Sequence, residues 1–209
     1  DYSEISTFNV IKDTIYINAE YSGIAWGNRS MPFRRIQDGI ELAQALGIER
    51  ILVAQGTYPE DLYIDQNIEI LGGYVYPDWT RDYLNNISLI GGAKANELIT
   101  YCGDANPIDE NSLLEGFHVY IARSQSERGI LCDKASPIIR NNYIYSISVA
   151  YDSYGVYCDN DSNPKIYNNI IHMGNYLNCY GVFCSNESSP IIRNNTINIL
   201  SIEYNYHYN

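Results

Sequence analysis

No stretch of the 209-residue sequence approaches the ~20 consecutive apolar residues of a membrane-crossing helix, and no such span is expected. The opening Asp1-Tyr2-Ser3-Glu4 has neither the basic start nor the apolar run of an export signal, so a signal is expected to have been removed or never present. Basic residues are scarce. Lys and Arg number 13 against 25 Asp and Glu, a formal charge of -12, and that sign repels phosphate backbones, which argues against nucleic acid as a partner. Gly56 and Gly72-Gly73 belong to no Gly-x-Gly-x-x-Gly or P-loop string, so nucleotide binding has no support. His118, His172 and His207 have no Ser or Cys in register with them, which argues against a nucleophilic triad. Strong helix formers are few. Only 2 Met and 4 Phe stand beside 21 Tyr and abundant Asn, a bias toward strands and turns.

An internal repeat organises the C-terminal half. Gly129-Ile130-Leu131-Cys132, Gly155-Val156-Tyr157-Cys158 and Gly181-Val182-Phe183-Cys184 recur at intervals of 26 residues. Each is followed by a second element: Ser136-Pro137-Ile138-Ile139-Arg140-Asn141-Asn142, Asn163-Pro164-Lys165-Ile166-Tyr167-Asn168-Asn169 and Ser189-Pro190-Ile191-Ile192-Arg193-Asn194-Asn195. A weaker copy, Leu113-Leu114-Glu115-Gly116-Phe117-His118-Val119, puts Leu114 in the place of Ile139 and Val119 in that of Ile144, which makes at least four turns. Inside the unit the apolar segments have period two, and Pro, Gly and Asn pairs interrupt them every six to nine residues. An α-solenoid is excluded. Three short strands per repeat, each pairing in parallel with its copy ~4.8 Å away, describe an all-β parallel β-helix. The Asn pairs are expected at a tight bend that needs a left-handed residue, with stacked amides hydrogen-bonding up the column.

Ahead of the repeats, Thr14-Ile15-Tyr16-Ile17-Asn18-Ala19 reads as a strand. Pro32 then stands in the first turn of a helix with apolar Phe33, Ile36, Ile40, Ala43 and Leu46, ended by Gly47. Ile51-Leu52-Val53-Ala54, Leu62-Tyr63-Ile64 and Ile68-Glu69-Ile70-Leu71 read as the three strands of the first full coil. A β-helix leaves unpaired backbone at each end, so the helix is expected to cap the open N-terminal end. At the other end the next coil falls due at Tyr206-His207-Tyr208-Asn209, with His207 in place of glycine and no cap helix after it. The chain is therefore expected to be a piece of a longer β-helix, or to cover that end through Ile197 to Asn209 against a second copy, as a homo-oligomer. One domain spans 1–209, with the strand and cap helix in 1–49 and the coils in 50–209, regular from about 113.

Pro32-Phe33-Arg34-Arg35-Ile36-Gln37-Asp38-Gly39-Ile40, Val53-Ala54-Gln55-Gly56-Thr57-Tyr58-Pro59-Glu60, Gly72-Gly73-Tyr74 and Trp79-Thr80-Arg81-Asp82 resemble the start of right-handed parallel β-helix proteins of the pectin-lyase-like superfamily. The branch they resemble is the uncharacterised one known as domain of unknown function 1565. The downstream repeats are similar to the carbohydrate-binding and sugar-hydrolase repeats of that superfamily, and the resemblance covers about residues 14 to 209. It implies a right-handed coil. For activity it implies little, because its motifs consist of turn and core residues. The polygalacturonase strings Asn-Thr-Asp, Asp-Asp, Gly-His-Gly and Arg-Ile-Lys do not occur here, nor do the pectate-lyase strings Trp-x-Asp-His and Arg-x-Pro-x-x-Arg.

Strand parity turns Cys132, Cys158 and Cys184 inward as a stack of core thiols, a geometry that converges on no metal. Five cysteines are an odd number, so a fully paired disulfide set is impossible, and these three are expected to be reduced, buried and unreactive. The same parity sends Leu131, Tyr157 and Phe183 outward, with Tyr101 their upstream neighbour if Cys102 is in phase with Cys132. An exposed aromatic stripe is a natural surface for sugar stacking. Acidic residues follow in successive turns: Asp104, Asp109, Glu110, Asp133, Asp159, Asp161 and Glu187. Stacked carboxylates suit weak Ca²⁺ binding or mere solvation, and no other cofactor is implied. Asp133 and Asp159 form the best candidate pair for glycoside hydrolysis, though a structural repeat accounts for their spacing equally well. The expected function is an extracellular or cell-surface module, non-catalytic, that binds polysaccharide or another surface ligand through Tyr101, Leu131, Tyr157, Phe183, Asp133 and Asp159. Two alternatives stay open: a divergent polysaccharide lyase or hydrolase, and a structural fragment of a longer surface protein.

Overall fold

The computed structural model describes residues 14–91, 97–121, 127–146, 152–175 and 178–201. Three parallel sheets enclose one apolar core. The first sheet carries Ile15–Ile17, Arg50–Ala54, Glu69–Val75, Leu113–Glu115, Ile138–Arg140, Lys165–Tyr167 and Ile191–Arg193. The second runs from Gly56–Tyr58 through Ser88–Gly91, Phe117–Ile121, Tyr143–Ser146 and Ile170–Asn175 to Thr196–Ser201. The third runs from Leu62–Ile64 through Glu97–Cys102, Glu127–Asp133 and Asp152–Asp159 to Asn178–Cys184. From Arg50 onward the chain visits the three sheets in turn, so the architecture is an all-β parallel β-helix. The first coil differs from the expected one. Its middle strand is Gly56–Tyr58, and Ile68 to Leu71 open the second coil instead of closing the first.

Inward positions stack in register. Ile51, Ile70, Leu114, Ile139 and Ile166 form one wall, and Ile90, Val119, Ile144 and Ile171 form a second, all fully buried. Leu114 thus pairs with Ile139 and Val119 with Ile144, as the weak copy implied. Each such side chain contributes about 1.5–3 kcal/mol by leaving water. The repeat's glycine meets a different demand. A Cβ on Gly155 would lie 2.6 Å from the Gly181 carbonyl oxygen, so close approach of successive coils requires its absence.

The Asn pairs divide their labour. Asn141, Asn168 and Asn194 take the left-handed conformation, with φ of 55, 53 and 55°. Asn142, Asn169 and Asn195 point inward and form a ladder. The Asn142 N–H donates to Asn169 Oδ1 at 3.0 Å, and the Asn169 N–H to Asn195 Oδ1 at 2.7 Å. One coil earlier Gly116 takes the left-handed place at φ 81°, and Phe117 the inward one.

The helix spans Ile36–Leu46 and buries Ile36, Gly39, Ile40 and Ala43, the face that meets Ile15 and Ile17 across the N-terminal end. It starts later than Pro32 suggested. Phe33 donates to Tyr16 O and accepts from Asn18 N at 2.9 and 2.7 Å, and this bridge to the first strand holds the chain extended until Arg35. No local side chain caps the helix. Glu60, 24 residues on, accepts from the Ile36 and Gln37 amides at 2.7 and 3.2 Å. Burial pushes the Glu60 pKa up, against those two bonds and nearby Arg35. Gly47 ends the helix at φ 66°, as expected.

Between the first and second sheets of the second coil, residues 76–87 make an excursion outside the coil. Thr80–Arg81 pairs antiparallel to Glu69–Val75, and Trp79 packs edge-on to Tyr16 at 4.7 Å. In the last described strands the inward positions are partly exposed. Ile192 and Ile197 are 45% and 42% exposed, although Ile166 and Ile171 beneath them are fully buried. The expected next coil at Tyr206 to Asn209 lies outside the described residues.

Candidate functional site

The outer face of the third sheet gathers the side chains that sequence parity turned outward. Leu131, Tyr157 and Phe183 stand in one register column, with Thr100 next in line. Alternation then breaks at the repeat glycine, because Gly155 and Val156 both face the core, and Tyr154 therefore returns to the outside beside Tyr157. A second outward column results: Arg128, Tyr154 and Tyr180. Simple period-two reasoning missed it. The spacing Tyr154-x-x-Tyr157 and Tyr180-x-x-Phe183 was the available signal.

Four rings pack into one cluster. Tyr154 and Tyr180 are stacked at 5.1 Å and 8°, Tyr157 and Phe183 lie 5.0 Å apart, and edge contacts at 5.0 and 5.1 Å tie the two columns together. The Arg128 guanidinium sits 4.5 Å over the Tyr157 ring and pairs with Glu97 at 2.6 Å. The result is an aromatic surface with a cation fixed at its edge.

Tyr101 does not join it. Tyr101, not Cys102, aligns with Cys132, so its ring points inward between Ile64 and Cys132 and is fully buried. The longer turn at residues 103–112 hides this shift of one residue, and one residue reverses the face of every side chain in a strand. Burial pushes the Tyr101 hydroxyl pKa up.

Asp133 and Asp159 face each other in register at the end of the same face. Both carboxylates accept through Oδ1. Asp133 accepts from Asn160 Nδ2 at 2.7 Å; Asp159 accepts from Ser185 Oγ, Asn186 Nδ2 and the Asn160 amide at 2.8, 2.7 and 3.0 Å. Partial burial opposes ionisation of Asp159, but the Ser185 and Asn186 bonds outweigh it and hold the carboxyl below its usual range. Elsewhere in the acidic turns Asp104 pairs with Lys134 at 2.5 Å, and Glu110 pairs with Lys165. Among the described residues no three His, Cys, Asp or Glu side chains converge as a metal site.

Cys132, Cys158 and Cys184 share one inward column, and all five cysteines are free. Cys132 and Cys158 are fully buried, and burial raises both thiol pKa values. Cys184 departs from expectation. It occupies the same column but is exposed, because no described coil covers it. With a thiol reagent under native conditions, Cys184 should react within minutes while Cys132 and Cys158 react only on unfolding; peptide mapping of the labelled sites checks this.

Sequence reasoning also passed over the outer face of the second sheet, where Tyr120, Tyr143, Tyr145 and His118 gather. The alternation Tyr143-Ile144-Tyr145 and His118-Val119-Tyr120 carried that signal.

Residues 94–206 match the protein family described as "Right handed beta helix region". No curated protein and no solved structure matches the chain.

Proposed function

The chain belongs to the right-handed β-helix family, and from that premise we propose that it is a non-catalytic extracellular or cell-surface module that binds polysaccharide along the third sheet. One observation carries the reading: Tyr154, Tyr157, Tyr180 and Phe183 form a continuous aromatic surface two coils long, with Arg128 and Asp159 beside it. A pyranose presents an apolar face to such rings and hydroxyls to the charged groups at the rim. Leu131 extends the same column by one coil. Hydrolysis would require a protonated carboxylic acid opposite a base or nucleophile, whereas the Ser185 and Asn186 donors favour the ionised form of Asp159.

The test is a glycan array that includes polyuronides, run with a reducing-sugar assay on the bound hits. Binding without release of reducing ends is expected, and Tyr157→Ala should weaken it by about 1 kcal/mol or more. Undiminished binding by that variant would remove the aromatic surface from consideration, and released reducing ends would turn the assignment to a hydrolase or lyase. Calcium should add little. A cation would compete with the Asn and Ser donors already on Oδ1 of each carboxylate, so calorimetric titration with Ca²⁺ should show binding weaker than about micromolar.

A further inference from the structure

A cavity of about 380 Å³ opens at the turn between the first and second sheets. Its floor is the left-handed Asn turn, and its walls include Tyr83, Leu84, His118, Tyr143 and Ile170. Two features need explaining. Leu84 and Ile170 are 77% and 47% exposed at its rim, an apolar investment that solvent does not reward. The excursion that brings Tyr83 and Leu84 here is anchored, with Arg81 Nε donating to Gly72 O at 2.9 Å and Asn86 Nδ2 to Gly73 O at 3.3 Å.

The chemistry of the lining narrows the ligand. It contains no Lys, Arg, Asp or Glu, and the charges that border it, Arg81 over the Tyr83 ring at 5.4 Å and Arg140, are already paired with Glu115, so a phosphate, a uronate or a metal ion would meet no free countercharge. Burial depresses the His118 pKa, which keeps the imidazole neutral at neutral pH. A purely apolar ligand fits no better, because an imidazole, a phenol and two amides converge there. Asn141 spends its Nδ2 on Glu115 at 3.0 Å, leaving its Oδ1 as an acceptor, and the exposed Asn168 makes no side-chain hydrogen bond among the described residues. The Tyr143 ring is braced from behind, stacked at 4.8 Å on Tyr145, which stacks in turn at 4.9 Å on Tyr120, and His118 meets it edge-on at 5.2 Å. A volume of this size lies within the range of small-ligand pockets, about 300–1,000 Å³.

We propose that this cavity is a second carbohydrate site, separate from the third-sheet surface, and that it takes an uncharged pyranose unit between Tyr83 and Tyr143, with the hydroxyls on His118, Asn141 and Asn168. The site does not depend on the third-sheet reading. Isothermal titration of the intact chain with neutral hexasaccharides of glucose, mannose, xylose and galactose, and with hexagalacturonate, tests it. At least one neutral hexasaccharide should bind saturably. Leu84→Lys, at an exposed rim position, should weaken that binding by about tenfold or more, as should Tyr143→Ala, whereas Tyr157→Ala should leave it unchanged. The proposal is overturned if no neutral hexasaccharide binds, if Leu84→Lys binds as tightly as the native chain, or if Tyr157→Ala abolishes the same binding.

Discussion

Replacing Asn169 with leucine should lower the thermal unfolding midpoint by about 8–16 °C. Asn169 is 1% exposed and serves both neighbouring coils. Its Oδ1 accepts from the Asn142 N–H and Nδ2 at 3.0 and 3.1 Å, and its Nδ2 donates to Ile139 O at 2.9 Å and to Asn195 Oδ1 at 3.0 Å. Leucine fills similar space but leaves a buried amide and a buried carbonyl without partners, each costing about 1–3 kcal/mol. A total near 4 kcal/mol gives the stated range for a chain of this length. Asn168→Gly is the control, since its left-handed, exposed position tolerates glycine, and the midpoint should move by no more than about 2 °C. Calorimetric melting of both variants decides the matter. Equal midpoints would show that the ladder sets register without adding stability.

Glu115→Ala should cost about 3 kcal/mol, and the loss should disappear in acid. Glu115 is 5% exposed on the outer side of the first sheet. Arg140 donates to its Oε2 from Nε and Nη2 at 3.0 and 2.9 Å, and Asn141 and Arg81 reach its Oε1 at 3.0 and 3.4 Å. Burial alone would raise the carboxyl pKa, but Asn141, Arg140 and Arg81 outweigh it and hold the value below the usual range. Arg81 and Arg140 keep partial contact with water, which places the estimate at the low end for a buried pair. A pKa depressed on folding adds stability that is complete above the unfolded value near 4.3 and is lost as pH falls through the folded value. Urea denaturation between roughly pH 3 and 7 should therefore show native and Glu115→Ala curves converging on the acid side. A difference between them that stays constant with pH would assign the cost to lost packing instead of charge.

Much of this fold is written plainly in the chain. Gly and Cys recur at 26 residues, and the Asn pair at 27 and 26, because close coil approach, an inward core seat and a left-handed bend each admit few residue types. The third-sheet column of Leu131, Tyr157 and Phe183 follows from that period. Tyr101 was misplaced because its coil carries a longer turn, and Ile-Thr-Tyr-Cys alternates plausibly in either phase. The helix cap was illegible for another reason. Glu60 reaches Ile36 through folding of the first coil, and no spacing rule connects residues 24 apart. Tyr154 and Tyr180 escaped because the glycine beside each breaks strict alternation, a consequence of backbone packing that polarity patterns do not encode. The second-sheet cavity was further from reach, since Tyr83 and Leu84 arrive from an excursion with no counterpart in the repeat.

Apart from the antiparallel pairing of Thr80–Arg81 with Glu69–Val75, the described coil strands pair with the strands of the neighbouring coils in the same sheet, so coupling runs along a single axis. A helix covers the first coil, and Ile192 and Ile197 are partly exposed in the last described one. Such a column behaves as a zipper, in which opening at any rung costs a free energy that grows with each coil released. An amide removed at Asn142, which bonds to the coils on both sides, must unzip coils in both directions before it is relieved, so its loss is felt along the column and not at one rung alone.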